Sequence, residues 1–291
     1  MKKEKHTILA LVPPEKEGAL VLKEALLFQK ALGMKLRIMN VIEPASFYIR
    51  NFEPDVIDDI MATAKRRLVD FVHKTVGEDL PKNVKISVKS GEVVSVLKDL
   101  SKKSKYEFIL VDKSESDYQG ALSNAQIDEL VSVSTCPVLT VHKDHGVPEI
   151  ENIVIPIDIT QSTKKRLLWA SLFAKKLGAK ITILSALNAD VNINVEKSLA
   201  YKNAVKIRHM LWRQGINCEI EILKTREDKK HETILEYIKK EQPGLIIIRT
   251  HQESVFSNTS IGRFVSEIVH GSRLPVFTVN YTPNPIDSLF L

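Results

Sequence analysis

At 291 residues, with 44% hydrophobic and 27% charged side chains, the chain has the balance of a globular protein with room for one or two domains. Its net charge of +6 comes from Lys and Arg spread along the sequence and mixed with acids, which argues against a nucleic-acid footprint, since that wants a clustered basic stripe. The cysteines, Cys136 and Cys218, form no C-x-x-C and fall in different halves, so free thiols in a reducing compartment are expected rather than a disulfide framework.

The opening MKKEKHTILALVPPEKE is basic, but its apolar run stops at Pro13, too short for a signal-peptide core, and no later run approaches a membrane span. A cytoplasmic location and no membrane partner are the expectations that follow. Residues 6–12 read as a strand and Gly18–Leu32 as a helix, with Gly33 as a left-handed stop. Lys35–Ile42 is the next strand. A loop with Pro44 leads into a long amphipathic helix, Pro54–Val76, ended near Gly77. Residues 84–88 form a strand, 93–103 a helix, 108–111 a short apolar strand, 127–133 a helix and 137–141 a closing strand. Strands alternating with helices, some strands apolar on both faces, predict an α/β fold whose parallel sheet is covered on both sides.

The pattern then restarts, with strands at 152–158, 180–187, 217–223, 245–251 and 275–280 and helices at 163–177, 199–214, 231–241 and 261–271. Side chains repeat as well as elements. ALLFQKALGMKLRI, beginning at Ala25, aligns without a gap on ASLFAKKLGAKITI, beginning at Ala170; ELVSVSTCPVLTV, beginning at Glu129, aligns on EIVHGSRLPVFTV, beginning at Glu267. Two ungapped blocks in the same order identify a tandem duplication of a unit of about 140 residues. The domains are expected at 1–145 and 150–282.

These residues resemble the universal stress protein family as a tandem two-domain member. The blocks that carry the likeness are NIVIPIDIT, RLLWASLFAKKLGAKITIL and the two closing segments, DELVSVSTCPVLTV and SEIVHGSRLPVFTV. The resemblance implies two doubly wound domains, each a five-stranded parallel sheet of order 3-2-1-4-5 with helices on both faces. It also implies that the fifth strands, from Pro137 to Val141 and from Pro275 to Val279, pair with one another within the chain as a pseudo-dimer, since an apolar edge strand needs a partner. An unidentified protein partner and a homodimer stay open; nucleic acid is not expected.

ATP-binding members of that family carry G-x2-G-x9-G-[ST] after strand 4, where glycines let backbone N–H groups approach phosphates, and an Asp at the end of strand 1. Position by position, the second domain offers Arg249, Gln252, Gly262 and Arg263 for the pattern, with its nine-residue spacing kept but most of its chemistry replaced. Asp158 holds the strand 1 position, with Thr160 just after it. With Thr250 and His251, these make a candidate degenerate nucleotide or anion site. Asp158 is equally readable as a helix cap, and an Asp158/His251 pair across strands 1 and 4 is a further candidate. The first domain is further off: Asp112 and Glu115 fall on the first two glycines, Asn124 and Ala125 stand near the last pair, and strand 1 ends without the Asp. Two carboxylates there would repel a phosphate.

No metal-ligand spacing, no G-x-S-x-G and no activated nucleophile is present, and Cys136 reads as core. His231 reads as an exposed residue at a helix start, and Phe256 as a lone aromatic in a polar loop. With the resemblance, the expected function is a non-enzymatic stress-response or regulatory binding module with no cofactor. ATP in the second domain, with slow hydrolysis, is the competing reading.

Overall fold

A computed structural model describes residues 6–43, 54–113, 122–143, 149–157, 164–188, 194–250 and 263–279. These fall into two compact units, one reaching residue 143 and the other starting at 149.

The first unit runs β1 (Thr7–Leu11), α1 (Gly18–Leu32), β2 (Lys35–Ile42), α2 (Pro54–Val76), β3 (Val84–Ser90), α3 (Val93–Ser101), β4 (Tyr106–Asp112), α4 (Asn124–Val133) and β5 (Val138–Val141). Its strands lie in the order β3-β2-β1-β4-β5, every pair parallel. The second unit runs β6 (Asn152–Pro156), α5 (Lys164–Leu177), β7 (Lys180–Asn188), α6 (Leu199–Trp212), β8 (Cys218–Thr225), α7 (Lys230–Glu241), β9 (Leu245–Arg249), α8 (Arg263–Gly271) and β10 (Val276–Val279). Its order, β8-β7-β6-β9-β10, is the same topology, again all parallel. Each unit therefore has the expected 3-2-1-4-5 arrangement.

Burial follows that topology. The central strands are buried on both faces because helices cover both: all seven residues of β4 are buried, the carboxylates Glu107 and Asp112 among them, as are the last four of β1. The outer strand β3 is only half covered, and it carries Lys85 and Lys89. Phe28 of α1 meets Phe108 of β4 edge to face, with centroids 6.1 Å apart. In the second unit Phe173, the repeat counterpart of Phe28, joins Trp169 and Phe277 in a three-ring cluster. α1 and α5 give way to the next strand through Gly33 and Gly178, at φ of 67° and 74°, a left-handed turn that a Cβ would strain.

Element boundaries depart from expectation where hydrogen bonds, not apolar periodicity, decide them. β3 runs on to Ser90 because its backbone stays paired with β2 as far as Ile42↔Ser90. α4 starts three residues early, at Asn124, because Ser123 caps it.

Candidate functional site

In a 3-2-1-4-5 sheet the chain reverses direction between strands 1 and 4, and a ligand crevice opens at their C-terminal ends. The strand registers make the two crevices comparable. Asp112 pairs with Val141 as Arg249 pairs with Val279, so Asp112 and Arg249 are equivalent, and Lys113 corresponds to Thr250.

In the first unit the crevice is bordered by a tight turn after β1 and by buried charged residues at the end of β4. β1 leaves through Val12, whose N–H donates to Met39 O at 2.7 Å. The turn then doubles back so closely that a Cβ on Gly18 would stand 2.0 Å from the Pro13 carbonyl oxygen, a contact only glycine permits. β4 ends in two buried charged residues, Asp112 and Lys113, 6% and 4% exposed. Lys113 donates its backbone N–H to Val141 O at 2.8 Å. Burial pushes its amine down to about 7, with the Asp112 carboxylate acting the other way. The N-terminus of α4, where a phosphate would sit, is closed by a capping box. The Gln126 N–H donates to Ser123 Oγ at 3.3 Å, and the Ser123 N–H donates to Gln126 Oε1 at 3.0 Å. Asn124 and Ala125 form the first turn behind it; Glu115 lies outside the described residues. Beside the crevice, a cavity of about 450 Å³ opens between Pro14, Asn40, Ile42, Ile60 and Ala64, with the exposed Glu15–Arg67 ion pair among its lining.

The second unit has a different charge. Arg249 and Thr250 close β9, both half-buried. Thr250 donates its N–H to Val279 O at 3.2 Å and turns its hydroxyl to the same oxygen at 3.4 Å. Arg263 opens α8, and its Nε donates to Glu267 Oε1 at 2.6 Å, an i,i+4 ion pair along its own helix. A residue that sequence reasoning missed is Arg166 of α5. It is 4% exposed, and its Nη1 donates to Pro156 O at 2.6 Å, which puts a guanidinium at the C-terminal end of β6. Nearby, Ser185 donates its hydroxyl to Ile157 O at 3.1 Å and Ile157 N–H donates to Leu184 O at 2.8 Å. Of the residues expected at this site, Asp158, Thr160, His251, Gln252 and Gly262 lie outside the described residues, as does the proposed Asp158/His251 approach.

A second missed residue is Glu24 of α1. It is fully buried, neither carboxylate oxygen has a hydrogen-bond partner, and burial alone raises its pKa to about 8. The signal was in the repeat: Glu24 aligns on Trp169, an apolar position. Among the described residues no cluster of three or more His, Cys, Asp or Glu is placed to hold a metal. Cys136 and Cys218 are free and buried, and burial pushes their thiols up to about 12 and about 11, away from nucleophilic thiolate. His231 is exposed, and its ring lies 4.5 Å from that of Phe264, a packing contact between α7 and α8.

The model of the universal stress protein family matches this chain twice, over residues 5–142 and 149–280. The chain is similar in fold to a universal stress protein of Archaeoglobus fulgidus, at 15% identity, 96% of this chain and 99% of that one covered and a TM-score of 0.70. It is also similar to a putative universal stress protein of Pseudomonas aeruginosa, at 15% identity, 95% and 93% covered and a TM-score of 0.59. A functionally unknown protein of Pseudomonas aeruginosa matches at 16% identity, 98% and 95% covered, with a TM-score of 0.56. None of the curated proteins matches.

Proposed function

Because the chain belongs to the universal stress protein family, with two copies of the family domain in tandem, we propose that it is a non-enzymatic regulatory binding module in the stress response. In this reading the first domain holds no nucleotide and the second keeps only a degenerate form of the family's site. The observation that carries it is the closed end of β4 and α4. Asp112 and Lys113 are buried where a phosphate loop would start, and the Ser123–Gln126 box takes up the N–H groups of Ser123 and Gln126, which an anion at that helix end would need.

The competing reading, ATP bound by the second domain alone, is favoured by the charge there. Arg166 is buried at the end of β6 and Arg249 half-buried at the end of β9, both suited to an anion. The pairing of the segments from Pro137 to Val141 and from Pro275 to Val279 within one chain belongs to the main proposal and rests on the need of an apolar edge strand for a partner. A chain that light scattering finds dimeric, and that loses stability on dilution, would put those edges between chains instead.

Thermal melting with millimolar ATP and magnesium separates the readings. No shift is expected; a ligand at a hundred times its Kd would add about 2.7 kcal/mol, which a melt resolves. A shift abolished by Asp158→Ala would establish the ATP reading. A shift with inorganic phosphate alone, lost in Arg249→Ala, would point to a rebuilt anion site.

A further inference from the structure

Four large hydrophobic side chains stand exposed among the described residues, and three of them lie on α6: Leu199 at 62%, Met210 at 41% and Trp212 at 52%. The same helix has no acidic residue. Its charges are Lys202, Lys206 and Arg208, and Arg213 caps its end. Its repeat counterpart α2 balances four Asp against four Lys and Arg, the mixed surface of an ordinary solvated helix. The two copies of one element have thus diverged in a single direction, toward cations and exposed apolar surface.

Geometry sorts these side chains. α6 packs inward through Ala200, Ala204 and Leu211, which are buried. Lys202, Lys206, His209 and Arg213 recur at i, i+4, i+7 and i+11, which forms an exposed ridge on the outer side. Leu199 at one end, and Met210 and Trp212 at the other, flank that ridge along a helix about 20 Å long. The Trp212 ring is held by the chain itself: Arg208 lies 5.1 Å from its centroid and His209 meets it edge to face at 5.8 Å. The neighbouring acids are Glu196, exposed in the turn before the helix, and Glu219 and Glu221 of the adjoining β8, the first of these two tied to Lys180.

We propose that the outer face of α6 is a peripheral docking surface for an anionic lipid bilayer. Charge complementarity requires an anionic occupant, and three features select a bilayer. Protein interfaces have an apolar centre with a charged rim and are depleted in Lys, whereas here cations hold the centre and apolar groups the ends. A target-helix mode, in which a partner engulfs the apolar face, is closed because that face is already packed inward. Single-stranded nucleic acid wants a free aromatic face to stack on, and Arg208 covers one face of Trp212. A lipid surface suits the arrangement: cations meet headgroup phosphates while Leu199, Met210 and Trp212 enter the boundary beneath. No described helix is long and apolar enough to cross a membrane, so this is a surface contact, and it revises the expectation of no membrane partner.

The test uses the full chain and vesicles of phosphatidylcholine, with or without roughly 30% phosphatidylserine, read by co-sedimentation and by tryptophan emission. Trp169 is buried, so a shift in emission reports Trp212. Binding and a blue shift are expected on the anionic vesicles only, and both should be lost in about 0.5 M salt. Lys202→Glu with Lys206→Glu, both exposed, should weaken binding about tenfold or more at unchanged melting temperature. Trp212→Phe should keep binding and lose the blue shift. Absence of binding to anionic vesicles at low salt would overturn the proposal. So would equal binding by the charge-reversed variant, or tighter binding to polyglutamate or to a single-stranded oligonucleotide than to vesicles.

Discussion

In the second domain the helix after the first strand carries Trp169, whose ring packs 5.5 Å from Phe173 and 4.9 Å from Phe277. In the first domain the same helical position is Glu24, as deeply buried and with neither oxygen hydrogen-bonded. Duplication fixed the place, because a helix packed on a parallel sheet must present something there; it left the chemistry free. One copy satisfies the place with three aromatic rings, the other with a carboxyl that burial keeps protonated. Burial favours the neutral form of that carboxyl, which makes the stability of the first domain a function of pH.

A carboxyl at the tryptophan position of the second domain is the most damaging change. Trp169→Glu removes a buried ring, worth about 3–5 kcal/mol, and leaves a carboxyl in its cavity. Urea denaturation at pH 7 should lose at least that much, and the loss should shrink toward pH 4. A loss that is the same at both pH values would mean that the acid reaches water in the second domain, and that the two sites differ in more than one residue.

Glu24→Leu should act in the opposite sense. The carboxyl is raised from its ordinary value of 4.5 to about 8, so the unfolded chain gives up its proton first. Its contribution is then fully present below pH 4.5 and is lost progressively until the folded group itself titrates near 8. The wild type should therefore weaken by about 3 kcal/mol between pH 4.5 and 7, and Glu24→Leu should flatten that slope. Lys113 does not confuse the reading. Its amine is lowered to about 7, so the stability change it brings, a rise with pH, falls above neutrality. A wild-type curve already flat from pH 4.5 to 7 would show that Glu24 has a partner in solution.

How far the sequence carried this picture depends on what each feature leaves in it. Sheet order and the duplication were legible because apolar periodicity and the ungapped blocks report them over many residues at once. Asp112 and Arg249 were legible as departures from a family pattern. Lys113 and Arg166 were not, since a lone Lys or Arg in a mixed-charge chain reads as surface until the fold buries it. Glu24 stands between the two cases: invisible to periodicity, it shows in the repeat alignment as a carboxylate over a tryptophan. Asp158, His251, Gln252 and Gly262, which bear most on a ligand in the second domain, lie outside the described residues, so their part in the site rests on spacing alone.

The cap of α4 has a smaller part in stability. α4 is opened by a reciprocal cap, and the tetrapeptide Ser123-Asn124-Ala125-Gln126 carries the S-x-x-Q signature that fixes its first turn. α8, its counterpart, opens on Arg263, which is engaged further along the helix with Glu267. Ser123→Ala should cost about 1 kcal/mol, read as a lower denaturation midpoint with an unchanged slope. It also frees the Gln126 N–H without touching Asp112 or Lys113. If the cap alone kept the first domain from holding an anion, the variant would gain stability from phosphate. If the buried charges at the end of β4 do so, phosphate will leave it unchanged, and that is the outcome expected, because removing the cap leaves Asp112 and Lys113 buried where they were.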